Sequence, residues 1–337
     1  MARHTAFPGR RVFRPPRRGY VLVFVLAALA MMALIGGRFA FRIDALREQT
    51  GALSAYARGR LEAGNAAAAA FYLISTQPRG PAGFGSFLQP ALRADGRPYR
   101  LDNGAEIRLQ DTRGLYPINN LFQRESFAAL LRLSGADVVA IDGYTDVLLD
   151  YQDTDNLKRL NGAERADYAA LGLPPVRNDW LLSVRELSRM PLWRDRPELV
   201  AAIEPFVSTS RDGLFNANTA PRLVLQAKLP QARPEQIELF ETLRSATPFT
   251  SESMAIKATG LQLATDESML HVGNYFRLNV WAAGMPQAIQ YNVSLDPVVA
   301  MMAPWQIAEV HSVTRPIPSK AQERASAFPL ALAPATP

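Results

Sequence analysis

The longest apolar run of the chain lies near its N-terminus and extends from Tyr20 to Gly37. The charge-free segment is at the short end of the about 17–25 residues that cross a bilayer as a helix. Apolar residues then recur at helix-compatible spacing from Ile43 to Leu61, and an alanine-rich stretch follows. No proline occurs between Arg17 and Gln77. The pattern therefore predicts one long helix that leaves the membrane and ends near Ile74.

The pattern changes twice after this helix. Gln77 to Arg97 is rich in glycine and proline and predicts a loop. Alternating apolar residues on both sides of Asp102-Asn103-Gly104 predict a hairpin over Pro98 to Arg113. Helical periodicity follows, and we expect short helices at Phe122–Leu133, Val138–Leu149, Ser183–Met190, Leu199–Phe206, Pro221–Leu229 and Pro234–Leu243.

Strand patterns return after Ser251. The predicted strands are Ala255–Leu263, Met269–Ala282, Gln287–Leu295 and, more weakly, Trp305–Val313. The segment from Pro316 is rich in proline and alanine, and we expect it to be disordered. Because a helical block separates two groups of strands, it is best interpreted as an insertion into one sheet.

The sequence thus predicts an α+β protein with a long N-terminal transmembrane helix and an antiparallel sheet domain interrupted by an inserted all-α domain. The predicted parts are a leader (1–19), the transmembrane and long N-terminal helix (20–75), the first part of the sheet domain (76–118), the inserted α-domain (119–250), the second part of the sheet domain (251–313) and a disordered tail (314–337).

Charge is distributed unevenly along the chain. Lysine and arginine total 37 and aspartate and glutamate total 31. Six of these arginines and none of the acids lie before Gly19, so the remainder is formally neutral. The basic leader argues against a nucleic-acid-binding surface and for orientation at a membrane, with the N-terminus in the cytoplasm. A cleavable signal peptide cut after Ala28-Leu29-Ala30 is the alternative.

A short basic leader that ends in glycine, directly before a hydrophobic helix, resembles the type IV pilins and the pseudopilins of type II secretion. The resemblance implies that a prepilin peptidase cleaves after Gly19 and methylates Tyr20. Most pilins carry glutamate at the fifth mature position, which is Phe24 here. Its absence, together with the helical insertion, is typical of the minor pseudopilin K family, whose members lie at the filament tip.

An oxygen-rich segment, Asp150-Tyr-Gln-Asp153-Thr-Asp155-Asn156, precedes Asn161-Gly162-Ala163-Glu164. Such residues suit Ca²⁺, although the spacing is not that of an EF-hand and Lys158 and Arg159 interrupt it. A solvated acidic loop is the alternative. Because the pseudopilin K family binds calcium at a similar motif, the resemblance implies a structural Ca²⁺ site with the ligands Asp153, Asp155, Asn156 and Glu164, and with Asp150 and Asn161 as further candidates.

A second motif, Asn216-Ala217-Asn218-Thr219-Ala220-Pro221, matches a signature of the same family. From its residues we expect a turn that starts a helix, with a capping side chain before the proline.

Little in the sequence indicates an enzyme. There is no cysteine, and the three histidines, His4, His271 and His311, are not spaced as ligands or as part of a nucleophilic site. The resemblance implies a non-catalytic capping subunit of a type II secretion pseudopilus, with other minor pseudopilins of the I and J types as partners and neither nucleic acid nor a small-molecule substrate. A minor pilin of a type IV pilus and a membrane-anchored periplasmic hydrolase are the alternatives.

Overall fold

The computed structural model describes residues 20–120, 123–264, 268–295, 304–314 and 325–329. The predicted leader, including Gly19, lies outside these residues, as does most of the segment after residue 314. The chain divides into two compact units, Met1–Ala57 and Arg58–Pro337.

Helix α1 spans Tyr20–Thr76, which confirms the long helix that the sequence predicts. Within the described residues it is the one helix long and apolar enough to cross a membrane. Its first part exposes apolar side chains such as Phe24 and Phe41, as lipid-facing residues would be. Beyond Arg58 the helix buries small residues three or four positions apart, which form one face. The small residues are Gly59, Ala63, Ala66, Ala67 and Ala70, and the larger Phe71, Leu73 and Ile74 are buried near the end of the helix.

The described residues after α1 contain ten strands, which are, in chain order, β1 Gly83–Gly85, β2 Pro90–Arg93, β3 Asp95–Arg100, β4 Glu106–Asp111, β5 Tyr116–Pro117, β6 Val207–Ser208, β7 Tyr275–Trp281, β8 Ala288–Ser294, β9 Gln306–Val313 and β10 Ser326–Ala327. Six of them form one sheet with the order β10-β3-β4-β7-β8-β9. Its pairs are antiparallel except that β10 runs parallel to β3.

The apolar face of this sheet packs against the buried face of α1. Strand residues Ile107, Leu109, Phe276 and Leu278 join the helix alanines in one core. The ring of Phe71 lies 5.6 Å from that of Tyr291 and 5.7 Å from that of Trp305. Because alanine and glycine carry almost no side chain, α1 can approach the sheet closely, and a Cβ added to Gly59 would lie 2.4 Å from the carbonyl oxygen of Ala283.

The helical block has a separate core, built around Phe127, Tyr144, Trp193 and Phe240. Strands β4 and β7 are adjacent in the sheet, yet the whole block lies between them in the chain, as expected for an insertion. Its helices are α2 Arg124–Leu133, α3 Ile141–Gln152, α4 Arg165–Ala170, α5 Pro197–Ile203, α6 Arg222–Lys228, α7 Pro234–Ala246 and α8 Glu252–Thr259.

Two predicted elements of the second half are wrong. The segment Ala255–Leu263 is not a strand, because most of it forms α8, and the core of the helical block continues to Leu270. The tail is not wholly disordered, because β10 pairs with β3 and Phe328 is buried in the sheet core.

Three further differences are local. The predicted loop Gln77–Arg97 contains β1, β2 and the start of β3. The strand predicted from Met269 begins only at Tyr275, so His271 lies in a loop before it. The predicted helix Ser183–Met190 is a 3-10 helix over Val184–Arg189, and Ser183 and Glu186 form a capping box at its start.

Candidate metal site in the helical block

Three carboxylates converge where α3 ends and α4 begins. Asp150 lies in the last turn of α3, Asp153 is its C-cap residue, and Glu164 is the N-cap residue of α4. One oxygen of each carboxylate lies within 4.8 Å of the others. The negative end of the α3 dipole is at the same place, so a cation is favoured there. We call these three residues the carboxylate cluster.

Gly162 allows the loop between the two helices to close over the cluster. A Cβ at this position would lie 1.8 Å from Oδ2 of Asp150, far inside van der Waals contact. The glycine of the Asn161-Gly162-Ala163-Glu164 motif is therefore required by close packing on Asp150 rather than by an unusual backbone angle.

Arg159 neutralises part of the cluster. Its Nη1 donates hydrogen bonds to Oδ1 of Asp150 and to Oδ2 of Asp153, and its backbone N–H donates to Oδ2 of Asp150 at 3.2 Å. Asp150 is completely buried, so the arginine supplies charge that a buried carboxylate needs. The sequence analysis missed this role and noted Arg159 only as an interruption of the acidic run.

Glu164 has no such compensation. Its side chain is buried, and its carboxylate is faced by backbone N–H groups of the first turn of α4 rather than by a cation, with no hydrogen bond of good geometry among the described residues. Burial and the neighbouring charges of Asp150 and Asp153 raise the pKa of Glu164. Oδ1 of Asp153 is also buried without a partner. A bound cation would satisfy these oxygens, since Ca²⁺ takes six to eight oxygen ligands, some of them from water and backbone.

The described residues divide the predicted ligands into two groups. Asp150, Asp153 and Glu164 come together, whereas Asp155 and Asn156 are exposed and outside this cluster. The carboxylate of Asp155 instead accepts a hydrogen bond from the N–H of Leu157 at 2.7 Å. Asn161 donates to Oδ2 of Asp146. Asp150, which the sequence predicts only as a further candidate, therefore belongs to the cluster.

The second motif forms a buried polar network around Asp111. Oδ2 of Asp111 accepts hydrogen bonds from Nδ2 of Asn216 and Oγ1 of Thr219, each at 3.1 Å. Its Oδ1 accepts from the N–H groups of Arg113 and Gly273. Burial nevertheless raises the pKa of Asp111 to about 6, because its four donors offset only part of the desolvation.

This network joins the sheet to the helical block. Asp111 ends β4, while Asn218 donates a hydrogen bond to the carbonyl of Phe249 and accepts one from the N–H of the same residue. The sequence analysis predicted a helix start with a capping side chain here. Pro221 does directly precede α6, but no side chain caps that helix, so the capping part of the prediction is wrong. The motif is structural in a different way, as an interior junction.

The residues predicted for processing and assembly lie at the start of α1. Tyr20 is its first residue, and the side chain of Phe24 is exposed on the helix surface. Gly19 lies outside the described residues. Within the described ranges, neither His271 nor His311 belongs to a group of residues that could hold a metal.

A long N-terminal helix packed on an antiparallel sheet with a helical insertion is the pseudopilin-like class of architecture that the sequence predicts. Residues 108–212 match the family model described as "Type II secretion system (T2SS), protein K". This match confirms the resemblance to minor pseudopilin K, and the carboxylate cluster lies within the matched segment.

A solved structure is similar to the chain over a wider range. It is titled "The Crystal Structure of the GspK-GspI-GspJ complex from enterotoxigenic Escherichia coli Type 2 Secretion System". The match covers 81% of this chain and 100% of that chain, with 17% identity and a TM-score of 0.48. No curated protein sequence shows significant similarity to the chain.

Proposed function

We propose that the chain is a non-catalytic minor pseudopilin that caps the tip of a type II secretion pseudopilus. The protein K match supports the secretion role. The observation that carries the capping role is the helical block inserted between the adjacent strands β4 and β7. A block of this size on one subunit hinders the addition of another subunit above it, while α1 remains free to pack among other helices.

The residue at position 24 supports a place at the end of the filament. By resemblance, a glutamate at the fifth mature position docks a subunit onto the N-terminal amine of its neighbour. A carboxylate in the bilayer is costly and needs such a partner. Phe24 can make no such contact, so this chain is suited to begin a filament rather than to repeat within it.

We further propose an inner-membrane location, with α1 as the anchor, the N-terminus in the cytoplasm and the sheet and helical block in the periplasm. The partners would be minor pseudopilins of the I and J types, named after the GspI and GspJ of the similar solved complex. To test this, the full chain is purified in detergent together with candidate I-type and J-type minor pseudopilins from the same organism. Stable co-purification of all three is expected, whereas recovery of this chain alone would contradict the partner proposal.

The carboxylate cluster supports a structural calcium site within this subunit. Asp150, Asp153 and Glu164 would hold the ion, and its positive charge would compensate the buried carboxylate of Glu164. Because an ion that binds only the folded state adds to stability, calcium should raise the melting temperature of the full chain and a chelator should reverse the change. An identical melting curve in calcium and in chelator would contradict the calcium site without affecting the partner proposal.

A further inference from the structure

A single atom of Arg159 lies where an ion would bind. Its Nη1 is 2.5 Å from Oδ1 of Asp150 and 2.5 Å from Oδ2 of Asp153. Calcium binds oxygen ligands at about 2.3–2.6 Å. The guanidinium nitrogen therefore bridges two of the three carboxylates, as a bound cation would.

The arginine satisfies the cluster incompletely. It reaches Asp150 and Asp153 but not Glu164, whose carboxylate is faced only by backbone N–H groups of α4, and it leaves Oδ1 of Asp153 without a partner. Since the three ligand oxygens lie within 4.8 Å of one another, one ion at their centre can contact all of them. Nη1 of Arg159 is bonded to carboxylate oxygens that the ion would also need. The guanidinium and the ion therefore compete for the cluster.

The structure also provides room for the displaced side chain. A cavity of about 480 Å³ adjoins the cluster and is lined in part by Asp153, Arg159, Trp180 and Arg211. The guanidinium of Arg211 lies over the Trp180 ring, 4.0 Å from its centroid. Roughly a third of the Arg159 side chain is already exposed, so it can turn away from the carboxylates without unpacking the core.

We propose that Arg159 is the cation of the ion-free site and that calcium displaces its guanidinium into the cavity beside Trp180. This exchange rests on the calcium site proposed above and adds its regulation. The arginine keeps the buried carboxylates partly neutralised until calcium is available, so the ion-free chain stays folded. It also competes with the ion and thereby lowers the affinity of the site.

The exchange predicts opposite effects of one substitution on affinity and on stability. In Arg159→Gln the ion no longer displaces a bonded cation, so calcium should bind about tenfold or more tightly, the factor expected for hydrogen bonds to charged groups. Without calcium the same variant should melt at a lower temperature than the natural chain. In saturating calcium the natural chain and the variant should melt at the same temperature, because Arg159 of the calcium-bound natural chain no longer contacts the carboxylates.

Lys158→Gln is the matched control. Lys158 is the neighbouring basic residue of the same loop, but it pairs with Asp167 rather than with the cluster. Its substitution should leave the calcium affinity unchanged. Arg159→Lys is the second variant, in case Arg159→Gln cannot be purified without calcium, and its affinity should fall between those of the natural chain and the glutamine variant.

Isothermal titration calorimetry measures the calcium affinity, and thermal unfolding in calcium and in chelator measures the melting temperature. Both use the full chain in detergent. Tryptophan fluorescence adds a direct readout, because the arrival of Arg159 should change the emission of Trp180. That change should disappear in Trp180→Phe and in Arg159→Gln.

Calcium affinity equal in the natural chain and both Arg159 variants would overturn the exchange while the calcium site stands. A melting-temperature loss in Arg159→Gln that persists in saturating calcium would also overturn it, since Arg159 would then remain bonded in the loaded state. Calcium binding to none of the variants would instead refute the calcium site, and the exchange with it.

Discussion

Glu164 is the residue whose substitution tests the carboxylate cluster most directly. Its carboxylate is buried without a cationic partner, and burial together with Asp150 and Asp153 raises its pKa. Replacement by glutamine removes one of three mutually repelling charges. We expect Glu164→Gln to raise the melting temperature in chelator by a few degrees and to remove the stabilisation by calcium. Melting curves of the full chain with and without calcium measure both effects.

Glu238→Gln is the control for this substitution, because Glu238 is exposed on α7 and remote from the cluster in the chain. It should change neither the chelator value nor the response to calcium. A Glu164→Gln variant that is stabilised by calcium as strongly as the natural chain would show that Glu164 is not a ligand.

Asp111 gives the interior junction a pH dependence. Its pKa is raised from 3.8 to about 6, so the folded state binds the proton more tightly than the unfolded state. Its contribution to the free energy of unfolding is therefore largest below about pH 4 and is lost as the pH rises through about 6. A shift of two pKa units corresponds to about 3 kcal/mol.

Thr219→Val tests this junction. The change removes one donor to Asp111, so it should cost about 1 kcal/mol at neutral pH. It should also raise the pKa of Asp111 further and extend the loss of stability to higher pH. Urea unfolding between pH 4 and pH 7 measures both. Thr242→Val, which removes an exposed hydroxyl bond within α7, is the control, and equal pH profiles for the two variants would refute the role of Asp111.

At the scale of elements, the sequence predicts the parts whose signals are local. The hairpin of β3 and β4 follows from Asp102-Asn103-Gly104, and the length of α1 follows from the absence of proline. The strand predicted at Ala255–Leu263 is wrong, because most of this segment forms α8. The buried residues Ala255 and Thr259 are four positions apart and share one helix face.

Two signals could have identified α8. Ser251 caps its first turn by accepting from the N–H of Met254, and Gly260 ends it in a left-handed conformation, with a φ of 71°. The ligand set could be predicted only in part for a related reason. Asp150, Asp153 and Glu164 meet because two helix ends approach each other, and spacing along the chain does not specify that approach.

The last strand is the element that sequence composition conceals. Phe328, directly after β10, is only 7% exposed and packs in the core between the sheet and α1. We expect Phe328→Ala to lower the free energy of unfolding by about 3 kcal/mol, as for other buried phenylalanines. Urea unfolding of the full chain measures the change. Phe87→Ala, at a residue that is 53% exposed, should cost much less, and equal losses would contradict the place of β10 in the sheet.

At the scale of the whole molecule, the chain combines an apolar helix, a sheet core and a helical block with its own core. The sequence predicts this order because hydrophobic periodicity changes at each boundary. It does not predict how the parts are joined, since Asp111, Asn216 and Thr219 meet only in the folded chain. The central claim is that this molecule is a pseudopilin subunit whose anchor is processed and retained.

The mature N-terminus tests that claim most directly. Mass spectrometry of the chain purified from its native membranes should find Tyr20 as the first residue, carrying a methyl group on its amine. A mature chain that begins after Ala30 would identify the apolar run as a cleaved signal peptide and would contradict the pseudopilin account.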